Sequence, residues 1–338
     1  MSDNRLYTMG HLRGEEIVWC LDAATGKPIW KHSYPEVLND HLYEGGPGAT
    51  PTVDGDFVFT LGIGGRLICF QRVTGEIVWQ LSLKDELRLP MHEWGYNSSP
   101  RILGDQLIIE CGYLVSFDRT TGQVRWKSPE HDAGYGSVAV FARGNETLLA
   151  SLDCEGLRIS DAETGRQIAF REWKSPFRTN STTPIIAGDT IYISSGYNVG
   201  CGLFRLRGNE LDEIYTSQQM RNHFNNSILF KGCVYGFDGN SNLGRVVRLT
   251  CMKHDTGEIL WQQDGFGCGS LMIADGKLLI LSDKGQLVVA TASPDSFHEI
   301  ARAEILNGRC WTVPVLLNGR VFARNARGTL VCVQLPRR

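Results

Sequence analysis

Side chains able to bind or to move protons are concentrated in seven short segments of this 338-residue chain. Around 41–46 stand His41, Tyr43 and Glu44, and His92, Glu93, Trp94, Tyr96 and Asn97 follow within 92–98. Tyr135 lies in 133–137, Arg178 and Asn180 in 177–182, and Arg221, His223 and Asn225 in 221–226. Cys268 in 265–270 and Arg309 with Trp311 in 309–312 complete the set. His92 and His223 have the chemistry of metal ligands or of acid–base groups. Glu44 and Glu93 are the acids of the set, and paired carboxylates could serve hydrolysis. Three arginines with Trp94 and Trp311 suit an anionic or sugar-like ligand. The alternative is structural: the same groups bond to one another and to water, satisfying backbone ends. Asp238-x-Asn240-x-Asn242 has the start of a calcium loop, yet it lacks the closing Glu and flanking helices, which favours a hairpin loop.

A repeat positions these segments. Trp19-Cys20-Leu21-Asp22 runs through Thr25-Gly26 to Trp30. Copies run through Thr74-Gly75 to Trp79, Thr121-Gly122 to Trp126, and Thr256-Gly257 to Trp261. A weaker copy has Thr164-Gly165 with Ala169 in the Trp position, and a degenerate one ends at Gly208-Asn209. The glycines are spaced by 49, 47 and 43 residues, and then by 92, two periods. Asp bonds forward to turn amides, Gly takes the positive φ of a short hairpin, and a Trp four residues on suits docking one unit against the next. Between copies comes Ser/Thr-Pro, a short apolar stretch and a Gly-Asp-like turn, as in 50–59, 99–105 and 183–192. Each unit therefore holds four short strands, and no helix of useful length is expected.

The expected fold is all-β: an eight-bladed β-propeller of four-stranded antiparallel blades, with seven blades as the fallback, forming a single domain over 1–338. Strand 5–10 reads as a second strand, and the chain stops after a third. The first and last blades are thus expected to be incomplete, with the natural chain beginning upstream of Met1. The seven segments would then converge on the mouth of the central channel.

Composition narrows the classes. Net charge is −3, so nucleic acid is not an expected partner. No apolar run is long enough to span a bilayer, and the N-terminal residues lack the core of a secretory leader. The ten cysteines show neither Cys-x-x-Cys nor zinc spacing. Cys20, Cys69, Cys251 and Cys332 occupy one repeat position and read as small buried hydrophobes with inert thiols. Pairing among the other cysteines is left open.

The Asp-x-x-Thr-Gly-x4-Trp repeat resembles that of the pyrroloquinoline-quinone (PQQ)-like propellers, over essentially the whole chain. That superfamily includes quinoprotein alcohol dehydrogenases and the outer-membrane assembly lipoprotein BamB. The resemblance implies a periplasmic or other extracytoplasmic location and a protein or glycan partner. For the dehydrogenase branch it implies PQQ with Ca²⁺, Arg178 or Arg309 meeting the quinone carboxylates, and an adjacent Cys-Cys pair. This sequence has no Cys-Cys pair. A non-catalytic binding scaffold without cofactor is therefore the expected function, and a PQQ-dependent oxidoreductase the alternative. A hydrolase or lyase using His92, Glu93 or His223 is a third.

Overall fold

The structure is a computed structural model describing residues 3–335, with 42 and 245 excepted. Residues 1 and 2 and the final Pro-Arg-Arg, at the ends that the expected upstream start concerned, lie outside that description. The chain is an eight-bladed β-propeller of antiparallel sheets with almost no helix. It clusters into two compact units, one ending at Glu172 and one beginning at Trp173. The first holds blades at 5–35, 52–82, 101–127 and 139–172. The second holds blades at 185–217, 228–263, 270–304 and 315–334.

Blade 2 shows how the sequence builds a unit. Thr52–Asp54, Phe57–Leu61, Arg66–Gln71 and Ile77–Ser82 pair in chain order. Its second and third strands are buried on both faces, which is why they read as apolar runs rather than strict alternations. The cores lie between blades. Phe59, Leu61, Leu67 and Cys69 pack with Leu107, Ile109, Val115 and Phe117 of blade 3. In the second unit Tyr235, Leu249 and Cys251 pack with Leu278, Ile280 and Val288. A short helix, Leu83–Leu87, follows blade 2; Ser82 caps it by accepting from the Asp85 N–H, and Leu83 and Leu87 are buried.

The repeat turn has the expected geometry. Asp22 Oδ1 accepts from the amides of Ala24 (3.0 Å) and Thr25 (2.7 Å) and from the Thr25 hydroxyl (2.8 Å). Gly26 follows at φ +71°, and the ladder shifts register between Cys20 and Leu21. The glycine also has a second reason. An added Cβ on Gly75 would lie 2.6 Å from the Trp30 ring, and one on Gly122 2.7 Å from that of Trp79. Trp126 lies against Gly165 in the same way. Each docked Trp is pinned by its indole N–H: Trp30 donates to the Arg72 carbonyl (3.0 Å) and Trp79 to that of Arg119 (2.9 Å). Trp126 donates to Gln106 Oε1 (3.1 Å) and Trp261 to the Ser293 carbonyl (2.9 Å).

Register assigns the degenerate copies. Cys20 pairs with Trp30 and Ile159 with Ala169, so Ala169 does hold the Trp position. In blade 5 Leu203 pairs with Tyr215, whose ring lies on Gly257 and whose hydroxyl donates to the His254 carbonyl (3.0 Å). Tyr215 is thus an unforeseen Trp substitute. The first and last blades have three strands among the described residues. Blade 1 carries Trp30 in its last strand and so has the second, third and fourth. Blade 8 has the first three.

The ten cysteines are free, and nine are buried. Cys332 corrects the expectation that the four repeat-position thiols are alike: it is exposed. Its strand, Leu330–Gln334, is the last of blade 8 among the described residues, where no fourth strand covers it.

Candidate functional site

In the first unit the segment ahead of blade 3 is held largely by backbone. His92 Nε2–H donates to the Cys111 carbonyl (3.0 Å), and its ring lies 4.4 Å from that of Tyr96. Tyr96 is 2% exposed and donates to the Pro90 carbonyl (2.8 Å); burial pushes its hydroxyl pKa up. Asn97 donates to the carbonyl of Trp94 (2.6 Å). Trp94 sits 6.1 Å from Tyr43, and its buried indole N–H finds no acceptor among the described residues. Tyr135 is half-buried ahead of blade 4. Neighbouring segments tie together, for Thr50 N–H meets Ser99 Oγ and Ser99 N–H meets Ser137 Oγ, both at 2.9 Å.

In the second unit the same logic accounts for three predicted residues. Asn180 is fully buried, donates to the Trp173 carbonyl (2.7 Å) and accepts from Ser195 Oγ (2.7 Å). Asn225 donates to the Gly269 carbonyl. Arg221 grips Asp238 with Nε (2.7 Å) and Nη2 (2.9 Å), a bidentate pair. Asp238 therefore opens no calcium loop. Asn240 Oδ1 accepts from Tyr197 N–H (2.7 Å), and Asn242 Nδ2 reaches Tyr197 Oη (3.3 Å).

The other predicted residues of this unit join a row of rings. Exposed Phe177 stands 5.0 Å from Tyr197, which is 5.1 Å from His223. His223 is 4.9 Å from Phe224, which is 4.3 Å from Trp311, and the Arg309 guanidinium covers Trp311 at 4.4 Å. Arg178 follows Phe177, and both have left-handed backbone, φ +50° and +66°. Burial pushes His223 down to about 4, so the ring is neutral at pH 7. Tyr197 was missed because it sits in the turn between the second and third strands of blade 5, not ahead of a first strand.

The sequence reading also missed a buried charge cluster in the first unit. Glu110, His131, Asp153 and Arg158 have side chains 1%, 2%, 0% and 10% exposed. His131 Nε2 lies 2.9 and 3.1 Å from the two Glu110 oxygens and 4.0 Å from Asp153, while Nδ1 lies 3.2 Å from the Pro129 carbonyl. Both ring nitrogens face oxygen atoms that accept when Glu110 is ionised, an arrangement the imidazolium satisfies. Glu110 also accepts from Gly112 N–H (3.0 Å). Asp153 accepts from Glu155 and Gly156 N–H, both at 2.9 Å, and from Arg158 Nε (2.8 Å). Burial alone would lower the His131 pKa, but the Glu110 charge and hydrogen bond, helped by Asp153, raise it overall. Burial, then Glu110, raise that of Asp153. The overlooked signal was a lone acid closing an apolar strand, as in Leu107-Ile108-Ile109-Glu110.

Four-stranded blades docked by tryptophan on glycine define a PQQ-like propeller. The family model described as outer membrane protein assembly factor BamB matches residues 14–238. The chain belongs to that family. Among solved structures it is similar to BamB from Moraxella catarrhalis, with TM-score 0.69, 18% identity, and 98% of this chain and 95% of that one covered. It is also similar to the quinohemoprotein alcohol dehydrogenase of Comamonas testosteroni, with TM-score 0.68, 12% identity, and 95% and 68% covered. A europium-containing methanol dehydrogenase gives TM-score 0.68 at 10% identity, with 98% and 80% covered. At these identities the likenesses show the fold alone. No curated protein matches the chain in sequence.

Proposed function

We propose that the protein is a non-catalytic binding scaffold of the bacterial envelope, and not a quinoprotein oxidoreductase. The observation that carries this reading is the state of its polar side chains. Ahead of the first strands His92, Asn180 and Asn225 hydrogen-bond to backbone carbonyls, and Arg221 to a matched carboxylate. Membership of a family described by an outer-membrane assembly factor favours a protein partner in the envelope. Among the described residues no helix is long and apolar enough to cross a membrane.

Three buried carboxylates lend no support to a Ca²⁺-assisted quinone. Asp238 gives both oxygens to Arg221, and Asp153 is enclosed by Arg158 and two backbone amides. Glu110 faces His131. None of these carboxylates is open to a cation.

The test is a titration with PQQ and Ca²⁺ followed by tryptophan fluorescence and by reduction of a redox dye. The expected result is a flat titration and no turnover. Saturable quenching that Arg178→Ala weakens, or any dye reduction, would overturn the reading. Affinity capture of an envelope protein by the full chain is the positive counterpart.

A further inference from the structure

The row of rings in the second unit has features that packing does not require. Phe177 is 69% exposed, although a phenyl ring gains by burial. It is held there by left-handed backbone at Phe177 and Arg178, and the facing turn is left-handed at Tyr197 (+54°) and Asn198 (+64°). Four such residues outside glycine cost about 1 kcal/mol or more each. Strain of this kind gathers where a surface must be presented in one shape.

The hydrogen bonds then fix a proton. Ser241 N–H points at His223 Nδ1 (3.4 Å), as does Ser241 Oγ (3.2 Å). An N–H can only donate, so Nδ1 accepts and the neutral ring carries its proton on Nε2. Nε2–H therefore donates to Tyr197 Oη (3.1 Å), which also accepts from Asn242 Nδ2 (3.3 Å). With two donors arriving, the Tyr197 hydroxyl proton is directed outward, and no acceptor among the described residues receives it. In the same loop cluster Asn240, whose Oδ1 accepts from the Tyr197 N–H, is 3% exposed, and its Nδ2, close to Gly196, has no partner among the described residues. A buried amide left open calls for a water or a ligand atom.

The chemistry of the occupant follows. His223 is neutral and the Arg221 charge is matched by Asp238, so the groups that meet the Tyr197 hydroxyl are uncharged. The site's groups are hydroxyls and primary amides, which both donate and accept, as sugar hydroxyls do. No strand edge is free there for an extended peptide, since the strands flanking Tyr197 are interior to their sheet. The projecting Phe177 offers a flat face rather than a pocket.

We propose that the loops around Tyr197 bind a neutral saccharide, with a pyranose ring laid on Phe177 and a sugar oxygen accepting the Tyr197 hydroxyl proton. This rests on the binding-scaffold reading and adds a ligand to it. Cellohexaose, maltohexaose and chitohexaose are titrated singly into the full chain to roughly 10 mM, in the range of weak specific binding. Binding is read by saturation-transfer NMR and by Trp311 fluorescence. At least one is expected to bind saturably. Tyr197→Phe, which keeps the ring and removes the donor, should weaken binding about tenfold. Phe177→Ala should weaken it at least as much, and Val37→Ala, at an 81% exposed position of the first unit, should leave it unchanged. Thermal melts of each variant check that it is folded. No saturable binding by any of the three sugars would overturn the proposal, as would binding that both second-unit variants leave intact. Sugar failure with the envelope partner still captured sinks only this proposal, whereas dye reduction with PQQ sinks the scaffold reading instead.

Discussion

Replacing His131 by Leu should destabilise the first unit severely, and the structure says by how much. The change leaves Glu110 buried without its cation, held only by backbone N–H groups, and leaves Asp153 facing it with Arg158 as the remaining positive charge. Breaking a buried pair by removing one partner costs about 3–5 kcal/mol. At about 2–4 °C per kcal/mol for a unit of this size, the midpoint should fall by at least roughly 6 °C. The pH dependence is the sharper test. Because the folded state raises the His131 pKa, it holds the proton more tightly than the unfolded chain does. That contribution is complete below the ordinary pKa of 6.5 and is lost as pH rises through the folded value. Asp153, also raised, acts in the same direction from 3.8 upward. Each tenfold tightening of proton binding is about 1.4 kcal/mol. Wild-type protein should therefore melt at higher temperature near pH 6 than near pH 9. His131→Gln keeps a donor toward Glu110 but cannot titrate, and should flatten that slope while costing less than Leu. Melting curves for the three proteins across pH settle the matter. Parallel slopes for wild type and His131→Gln would refute a protonated His131 between Glu110 and Asp153.

Blade docking gives a paired prediction. Gly75→Ala and Gly26→Ala face the same backbone strain, φ +78° and +71°, but only the Gly75 Cβ would meet a docked Trp. Gly26→Ala should cost about 1–2 kcal/mol and Gly75→Ala distinctly more by thermal melt; equal costs would refute the docking role. Trp79→Ala should cost about 3–5 kcal/mol in the same assay. Under native conditions one thiol per chain, Cys332, should react rapidly with a thiol reagent, because burial excludes the others and pushes thiols such as Cys69 and Cys201 up to about 12.

The blades were legible because their signals are local. Asp22, Gly26 and Trp30 each answer to a turn or a neighbouring blade, so the same letters recur at one period. Tyr215 was hidden because its copy had lost both Asp and Thr-Gly, and only pairing with Leu203 shows which position it fills. The candidate site was legible in part. The repeat places residues ahead of the first strands, but their types do not say whether a side chain turns to a ligand or to a carbonyl. Asn180 and Asn225 look alike in sequence to any ligand-binding Asn, and both are engaged by backbone. Glu110 ends a second strand, and Asp153 and Tyr197 lie in turns between second and third strands, where the repeat places no fixed residue. Tertiary proximity alone brings them to their histidines.

Two histidines ahead of first strands, buried His131 and half-buried His223, show how neighbours decide what a repeat position does. His131 faces Glu110 and Asp153, and it keeps its proton as part of the fold. His223 faces Tyr197 and Ser241, has no carboxylate to offset burial, and stays neutral down to about 4. Acidification from roughly pH 7 to 5 should therefore act on the stability of the first unit without changing the charge of the Tyr197 site. Saccharide affinity should stay flat across that interval while the melting temperature does not fall. An affinity that drops several-fold in step with protonation of an imidazole would mean that His223 titrates near neutrality. The Nε2–H to Tyr197 arrangement, and the outward hydroxyl that depends on it, would then be wrong.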